Sequence, residues 1–223
     1  MSGAAEITYE DIVAAAVKTK PRFLAMAIEK KSDLSGNQTN LTKILAANGA
    51  ALEHIAEENQ TTALVLTALE SNPDAAQYIR PTLLMDVSAA LISKSGLNLK
   101  YIPDLSNNEA YCLAAVQNHG AALEYVSPAL KGSPSIVGAA VGLDASGVAS
   151  TPLAVRFINT AAYIASPDGG QANLTSLYEG ALKKWWWIIR YIPGEEIAKI
   201  DRQLLINIVS KHPDAVEFIP SNI

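Results

Sequence analysis

Cysteine is nearly absent from this sequence, and so are other residues that mark particular classes of protein. Because Cys112 is the single cysteine, no disulfide can form within the chain, which suits a reducing compartment. The three histidines, His54, His119 and His212, are far apart, so no Cys/His cluster has the spacing of a zinc site. Charged residues make up only 17% of the chain and the net charge is −5, which argues against a nucleic-acid partner.

Long apolar stretches are also missing. No run of apolar residues approaches the ~18 that a membrane-spanning helix needs, and the run that contains the tryptophans, Trp185–Ile189, is far too short. The first residues, MSGAAEITYEDI, have neither the basic nor the apolar region of a signal peptide. We therefore expect a soluble cytoplasmic protein with no membrane partner.

What the sequence does contain is a repeat. An aromatic residue or a histidine followed by Ile or Val recurs at His54-Ile55, Tyr78-Ile79, Tyr101-Ile102, Tyr125-Val126, Tyr191-Ile192 and Phe218-Ile219. The first four pairs are separated by 24, 23 and 24 residues, since 78 − 54 = 24, 101 − 78 = 23 and 125 − 101 = 24. Such a constant spacing indicates a repeated structural unit.

Each repeat has the same internal order. A short apolar helix is followed by a breaker such as Asn48-Gly49 or Asn72-Pro73, where Gly or Asn could adopt the left-handed conformation and Pro could begin the next helix. A second short helix then carries the aromatic–Ile pair, and a loop with proline ends it. Because helices this short are marginal alone, stacking of neighbouring pairs must bury their apolar faces.

The predicted fold is therefore all-α, an α-solenoid of tandem helix-turn-helix repeats of about 24 residues. We expect one domain over residues 1–223. The repeats are clearest over residues 41–130 and degenerate over residues 131–182, where GLDASGVASTPL from Gly142 is a candidate copy. The C-terminal repeats cover residues 183–223.

The pattern of an apolar helix, Asn-Gly or Asn-Pro, then Ala-Leu-x-Tyr-Ala/Val-Ser resembles a family of tandem short helical repeats known as a domain of unknown function. The best matching segments are Asn48–Ala56 and Ala110–Leu130, and Glu109 matches the acidic residue that opens each unit in that family. Its members occur in bacteria, phages and large DNA viruses. The resemblance implies no catalytic residues, and it suggests a virion location if the chain is encoded by a phage.

Side chains that could carry chemistry have structural explanations. Cys112 lies on the apolar face of a helix, where it is expected in the core. The adjacent carboxylates Glu10-Asp11, Glu57-Glu58 and Glu195-Glu196 point about 100° apart on a helix and are expected to be solvated. The recurring tyrosine is either a spacer in the core or one of a row of ligand contacts. We expect no enzyme activity, no metal and no cofactor.

One segment stands apart, because it places all three tryptophans side by side. If Trp185, Trp186 and Trp187 lie on one helix, they span about 200° of its surface, which is wider than a buried stripe. At least one should then face outward, and Lys183, Lys184 and Arg190 would keep that surface soluble. We predict a protein interface at these six residues. One alternative is that the tryptophans form an aromatic cover over the end of the core. Another is a stacking surface for single-stranded bases, which is less favoured because residues 131–223 carry eight basic and eight acidic side chains.

The predicted function is thus a non-enzymatic protein–protein interaction or structural protein, with a protein partner or self-association into a homo-oligomer. The alternative is an enzyme or small-ligand receptor with scattered residues on a concave face, around Asp104, Asn107, Asn108 and Glu109. No sequence motif separates these two hypotheses.

Overall fold

The computed structural model describes residues 7–142 and 152–223, and every regular element within these two ranges is helical. The all-α class predicted from the sequence is therefore confirmed. The chain forms two compact units, Met1–Lys94 and Ser95–Ile223. The candidate repeat copy that begins at Gly142 lies almost entirely outside the described residues, and the single domain stays a prediction.

The first unit combines α-helices with short 3-10 helices. Its α-helices are α1 (Tyr9–Thr19), α2 (Phe23–Lys30), α3 (Gln38–Ala47), α4 (Thr62–Ser71), α5 (Pro81–Leu84) and α6 (Ser88–Lys94). Its 3-10 helices are η1 (Ser32–Gly36), η2 (Gly49–His54), η3 (Glu57–Asn59) and η4 (Pro73–Tyr78). Helix α3 packs between α1 and α4, and η2 packs against η4.

The second unit continues this alternation. Its α-helices are α7 (Glu109–Asn118), α8 (Pro134–Val141), α9 (Thr160–Ala165), α10 (Gln171–Lys184), α11 (Gly194–Ile197) and α12 (Arg202–Lys211). Its 3-10 helices are η5 (Gly96–Tyr101), η6 (Pro103–Leu105), η7 (Gly120–Tyr125), η8 (Leu130–Gly132), η9 (Pro152–Phe157), η10 (Trp186–Tyr191) and η11 (Pro213–Phe218). Contacts run in succession from η5 to η7, η9, η10 and η11.

The second helix of each sequence unit is a 3-10 helix of six residues and not an α-helix. The aromatic residue or histidine of the motif is its last residue, as Tyr78 is in η4, and the following Ile79 lies just outside the helix. The expectation that one helix carries the whole aromatic–Ile pair was therefore wrong. Helices η2, η4, η5 and η7 begin at residues 49, 73, 96 and 120.

The breaker residues connect the two helices without the left-handed turn that we expected. Asn48 is extended (φ −160°), and its N–H donates to Ile44 O at 3.1 Å, which closes α3. Its carbonyl accepts from the N–H of Ala51 and its side-chain oxygen from that of Ala50, which opens η2. One residue thus ends the first helix and caps the second. Among the described residues, only Gly142 and Gly170 have a positive φ.

Gly49 is needed for close packing instead. A Cβ at this position would overlap the carbonyl oxygen of Ala68, in the following α-helix α4. The N–H of Gly49 donates to Ser71 Oγ, also in α4, at 3.1 Å. The first residue of η2 therefore touches the backbone of α4.

The same contact recurs in the second unit at the same sequence separations. A Cβ on Gly96 would overlap the carbonyl oxygen of Ala115, and the Gly96 N–H donates to Asn118 Oδ1 at 2.7 Å. In both units the partners lie 19 and 22 residues after the glycine (68 − 49 = 115 − 96 = 19; 71 − 49 = 118 − 96 = 22).

The residue after each aromatic position belongs to the core. Ile79 is 7% exposed and Ile102 is 2% exposed, so both are buried. The aromatic or histidine side chains themselves are half-buried at His54, Tyr78, Tyr101, Tyr125, Tyr191 and Phe218.

Candidate functional site

The three tryptophans do not lie on one α-helix, which corrects the geometry expected from the sequence. Helix α10 ends at Lys184, Trp185 is the junction residue (φ −140°, ψ 77°), and Trp186 begins η10. All three indole rings are half-buried. The break in helix direction, and not the width of a helical stripe, accounts for their partial exposure.

Two of the tryptophans have aromatic partners. The ring of Trp186 stacks on the ring of His212, with centroids 4.2 Å apart and planes within 8° of parallel. Trp187 meets the ring of Tyr191 edge to face at 6.4 Å. Such aromatic pairs contribute about 0.5–1.5 kcal/mol beyond their buried area, so both indoles are held in defined positions.

The cations of the segment also pack on aromatic rings. Lys184 Nζ lies 5.5 Å from the ring centroid of Trp185 and donates to Gly142 O at 3.2 Å. The guanidinium of Arg190 lies 5.2 Å from the ring centroid of Phe218. Both side chains are exposed, so these contacts orient the charges and leave them accessible to solvent.

Trp186 lines a groove of about 470 Å³. The lining residues come from the end of α10, the start of η10 and one face of α12, and they are Leu182, Lys183, Lys184, Trp186, Leu204, Asn207, Ile208, Lys211 and His212. The structure thus brings three of the six predicted interface residues together in one depression. Trp185, Trp187 and Arg190 are not part of its lining.

The groove combines an apolar floor with positive charge. Lys183, Lys184 and Lys211 line it, and none of the carboxylates in the described part of the chain does. Within the described part of the chain, neither Lys183 nor Lys211 forms a salt bridge or a side-chain hydrogen bond, and both are exposed. A surface of this composition attracts carboxylates and apolar side chains together.

A second groove, of about 350 Å³, lies on another face of α12. Its lining is mainly aliphatic and includes Leu205, Ile206, Val209, Ile219 and Ile223. Ile206 is 56% exposed there, and Arg202 is the one charged residue among those that line this groove, against three lysines in the first.

A buried polar cluster surrounds Glu196, and no pattern in the sequence indicated it. The Glu196 carboxylate, expected to be solvated, is only 3% exposed and accepts hydrogen bonds from Gln171 Nε2 at 2.6 Å and Lys199 Nζ at 2.9 Å. Lys199 Nζ also donates to Gln171 Oε1 at 2.8 Å. Burial, and secondarily the charge of Glu196, raise the pKa of the Tyr178 hydroxyl, which keeps it protonated.

The other two pairs of adjacent carboxylates differ in their surroundings. Glu57 and Glu58 are exposed as expected. Glu10, in contrast, is 9% exposed and pairs with Lys31 Nζ at 2.8 Å, while Asp11 pairs with Lys43. The lysine partners lie 21 and 32 residues further along the chain, so spacing along a single helix could not identify them.

Cys112 is in the core, as its place on an apolar helix face predicted. Its side chain is fully buried, and Sγ donates to Ser106 O at 3.1 Å. Burial raises the pKa of the thiol to about 11, so the nucleophilic thiolate is disfavoured at neutral pH.

The four residues of the alternative site have local structural roles or point into solvent. Asn108 caps α7 by accepting from the N–H of Tyr111 at 3.2 Å, and Asn107 Oδ1 accepts from Ser127 Oγ at 2.8 Å. Asp104 and Glu109 are exposed residues in the first turns of η6 and α7. The two asparagines are thus explained by the start of a helix and by a loop contact.

Over residues 7–142 and 152–223, no three His, Cys, Asp or Glu side chains are grouped so that they could hold a metal ion. A search of the same residues finds no helix with the length and apolar character required to cross a membrane.

Comparison with known proteins gives one partial match. Residues 89–131 match the model of a family described as a domain of unknown function, DUF4116. This segment runs from within α6 through η8 and includes the Tyr101 and Tyr125 copies of the motif. Neither the curated proteins nor the solved structures contain a match to the chain.

Proposed function

We propose that this chain is a non-enzymatic α-solenoid of tandem repeats of about 24 residues that works through protein–protein contacts. The regular starts of η2, η4, η5 and η7 and the duplicated Gly49 and Gly96 contacts support a repeat array. Solenoids bind partners over surfaces built from several units, so an interface is their usual way of working.

The observation that carries the proposal is the segment from Lys183 to Arg190. It places three half-buried indole rings and three exposed cations on eight consecutive residues. Tryptophan and arginine are the residue types most enriched among side chains that dominate binding energy, and clustered exposed aromatic surface marks interaction sites. Trp186 is the leading contact residue because it also lines a groove.

The test uses Trp185→Ala, Trp186→Ala and Trp187→Ala as single variants. Sedimentation velocity and native mass spectrometry at increasing concentration measure assembly, with circular dichroism as the folding control. At least one variant should keep its fold and weaken assembly by about 2 kcal/mol, or about thirtyfold in Kd. If every variant either unfolds or assembles as the unmodified protein does, the tryptophans serve only the core and the proposed interface is wrong.

A further inference from the structure

The groove beside Trp186 lies next to the first residue of a 3-10 helix, which is the position at which Gly49 and Gly96 make their close contacts. Ala68 and Ser71, which touch Gly49, lie five and two residues before the next six-residue 3-10 helix, η4, which begins at Pro73. Ala115 and Asn118 have the same relation to η7. Near the end of the chain, Trp186 takes the glycine position as first residue of η10.

Counting back from Pro213, the first residue of η11, gives Ile208 and Lys211 (213 − 5 = 208; 213 − 2 = 211), and counting forward from Trp186 gives Leu205 and Ile208 (186 + 19 = 205; 186 + 22 = 208), so Ile208 is common to both counts. Ile208, Lys211 and Trp186 all line the groove. At Gly49 and Gly96 the missing side chain allows two backbones to touch, whereas at Trp186 an indole ring lines an open groove of about 470 Å³.

Its charge limits what can fill it. Lys183 and Lys211 lie at the ends of α10 and α12, and neither has a carboxylate partner in the described residues. Lys184 and His212 add to the basic lining. Three lysines and no carboxylate from the described residues line the groove, so the occupant should supply an anion.

We infer that this groove binds an acidic peptide segment of a partner protein. Carboxylates of the segment pair with Lys183 and Lys211, and an apolar side chain packs against Trp186 and Leu204. A nucleic acid fits less well, because the chain carries a net charge of −5 and His212 already covers one face of the Trp186 ring. The inference rests on the proposed function and names the chemistry of its partner.

The test measures binding of a fluorescein-labelled peptide that alternates Glu and Leu, followed by anisotropy with the full chain. A peptide in which every Glu is replaced by Gln is the matched probe. The Glu peptide should bind and the Gln peptide should bind at least tenfold more weakly. Raising the salt from about 0.1 M to 1 M shortens the screening length from about 10 Å to 3 Å and should reduce the difference.

The decisive variant is Lys183→Gln/Lys211→Gln, which removes two exposed charges and should retain the fold. Two surface ion pairs together should weaken binding of the Glu peptide about tenfold at low salt. The matched control is Lys18→Gln/Lys94→Gln, because both of these lysines are also exposed in the last turn of an α-helix. This control should bind like the unmodified chain.

The inference is overturned if the Gln peptide binds equally well, if both lysine pairs have the same effect, or if a single-stranded oligonucleotide binds more tightly than the Glu peptide. The proposed function is judged separately by the tryptophan variants. If Trp186→Ala weakens assembly while Lys183→Gln/Lys211→Gln leaves assembly and peptide binding unchanged, the interface stands and the acidic occupant is wrong. If no variant changes assembly or peptide binding, both are wrong.

Discussion

The contact between Gly49 and α4 allows a sharp test of how closely the helices pack. Replacing Gly49 with Ala would place the new Cβ on the carbonyl oxygen of Ala68. That carbonyl also accepts from the N–H of Asn72 at 2.8 Å, so it cannot move without disturbing the end of α4. The equivalent change, Gly96→Ala, would place a Cβ on Ala115 O.

Three contributions set the expected magnitude. Overpacking costs about 1–3 kcal/mol, and loss of the hydrogen bond from the Gly49 N–H to Ser71 Oγ costs about 0.5–1.5 kcal/mol. The smaller backbone entropy of alanine in the unfolded chain returns about 0.4–1 kcal/mol. Each variant should therefore lower the free energy of unfolding by about 2 kcal/mol.

Gly138→Ala is the control, because it should change the free energy of unfolding in the opposite direction. Gly138 is inside α8, and among residues 7–142 and 152–223 a Cβ there would meet no atom within 4 Å outside its own helix backbone and chain neighbours. Alanine should raise the free energy of unfolding by about 0.5–1 kcal/mol, because glycine is the poorer helix former. Urea unfolding followed by circular dichroism measures all three variants. A neutral or stabilising effect of both Gly49→Ala and Gly96→Ala would refute the close approach of the helices.

Three further predictions follow from burial and charge. Ile79→Ala and Ile102→Ala should each lower the free energy of unfolding by about 2–5 kcal/mol in urea titrations, because both side chains are buried; an unchanged transition would show that the register is wrong. The Cys112 thiol, whose pKa is raised to about 11 by burial, should resist a thiol reagent in the folded protein and react after unfolding. Hydrogen bonds from Lys31 and Lys43 lower the pKa values of the Glu10 and Asp11 carboxyls from their ordinary values of 4.5 and 3.8. The two ionised carboxylates therefore stabilise the fold fully above those ordinary values, and this stabilisation is lost as the pH falls through the lowered pKa values. The melting temperature should fall between pH 6 and pH 2, and this fall should be smaller in the Lys43→Met variant.

The periodic part of the fold could be predicted because it depends on local pattern. The spacing of Tyr78, Tyr101 and Tyr125 predicted helical units, and burial of the residues that follow each of them agrees with it. Proline at the start of the second helix was also correct, since Pro73 and Pro213 are the first residues of η4 and η11. These features depend only on the backbone preference of proline and on the apolar face of each helix, and both can be read from neighbouring residues.

The rest depends on contacts between units, which a single sequence does not show. Gly49 was explained by backbone freedom, but the structure uses it because a neighbouring helix leaves no room for a Cβ. Gln60 is similar: its side chain is buried, donates to Tyr78 O at 2.9 Å and accepts from the N–H of Arg80 at 2.9 Å. Its partners lie 18 and 20 residues away, and no local pattern indicates them.

The candidate site was predicted for a reason that the structure replaces. Three tryptophans on one α-helix were expected to leave one exposed, yet Trp185 is a junction residue and Trp186 begins another helix. Trp186 begins η10 as Gly49 and Gly96 begin η2 and η5, but it places an indole where those glycines have no side chain. Its ring stacks on His212 and also lines the groove formed by α10, η10 and α12. The same side chain therefore contributes to packing and to the surface on which the proposed interface depends.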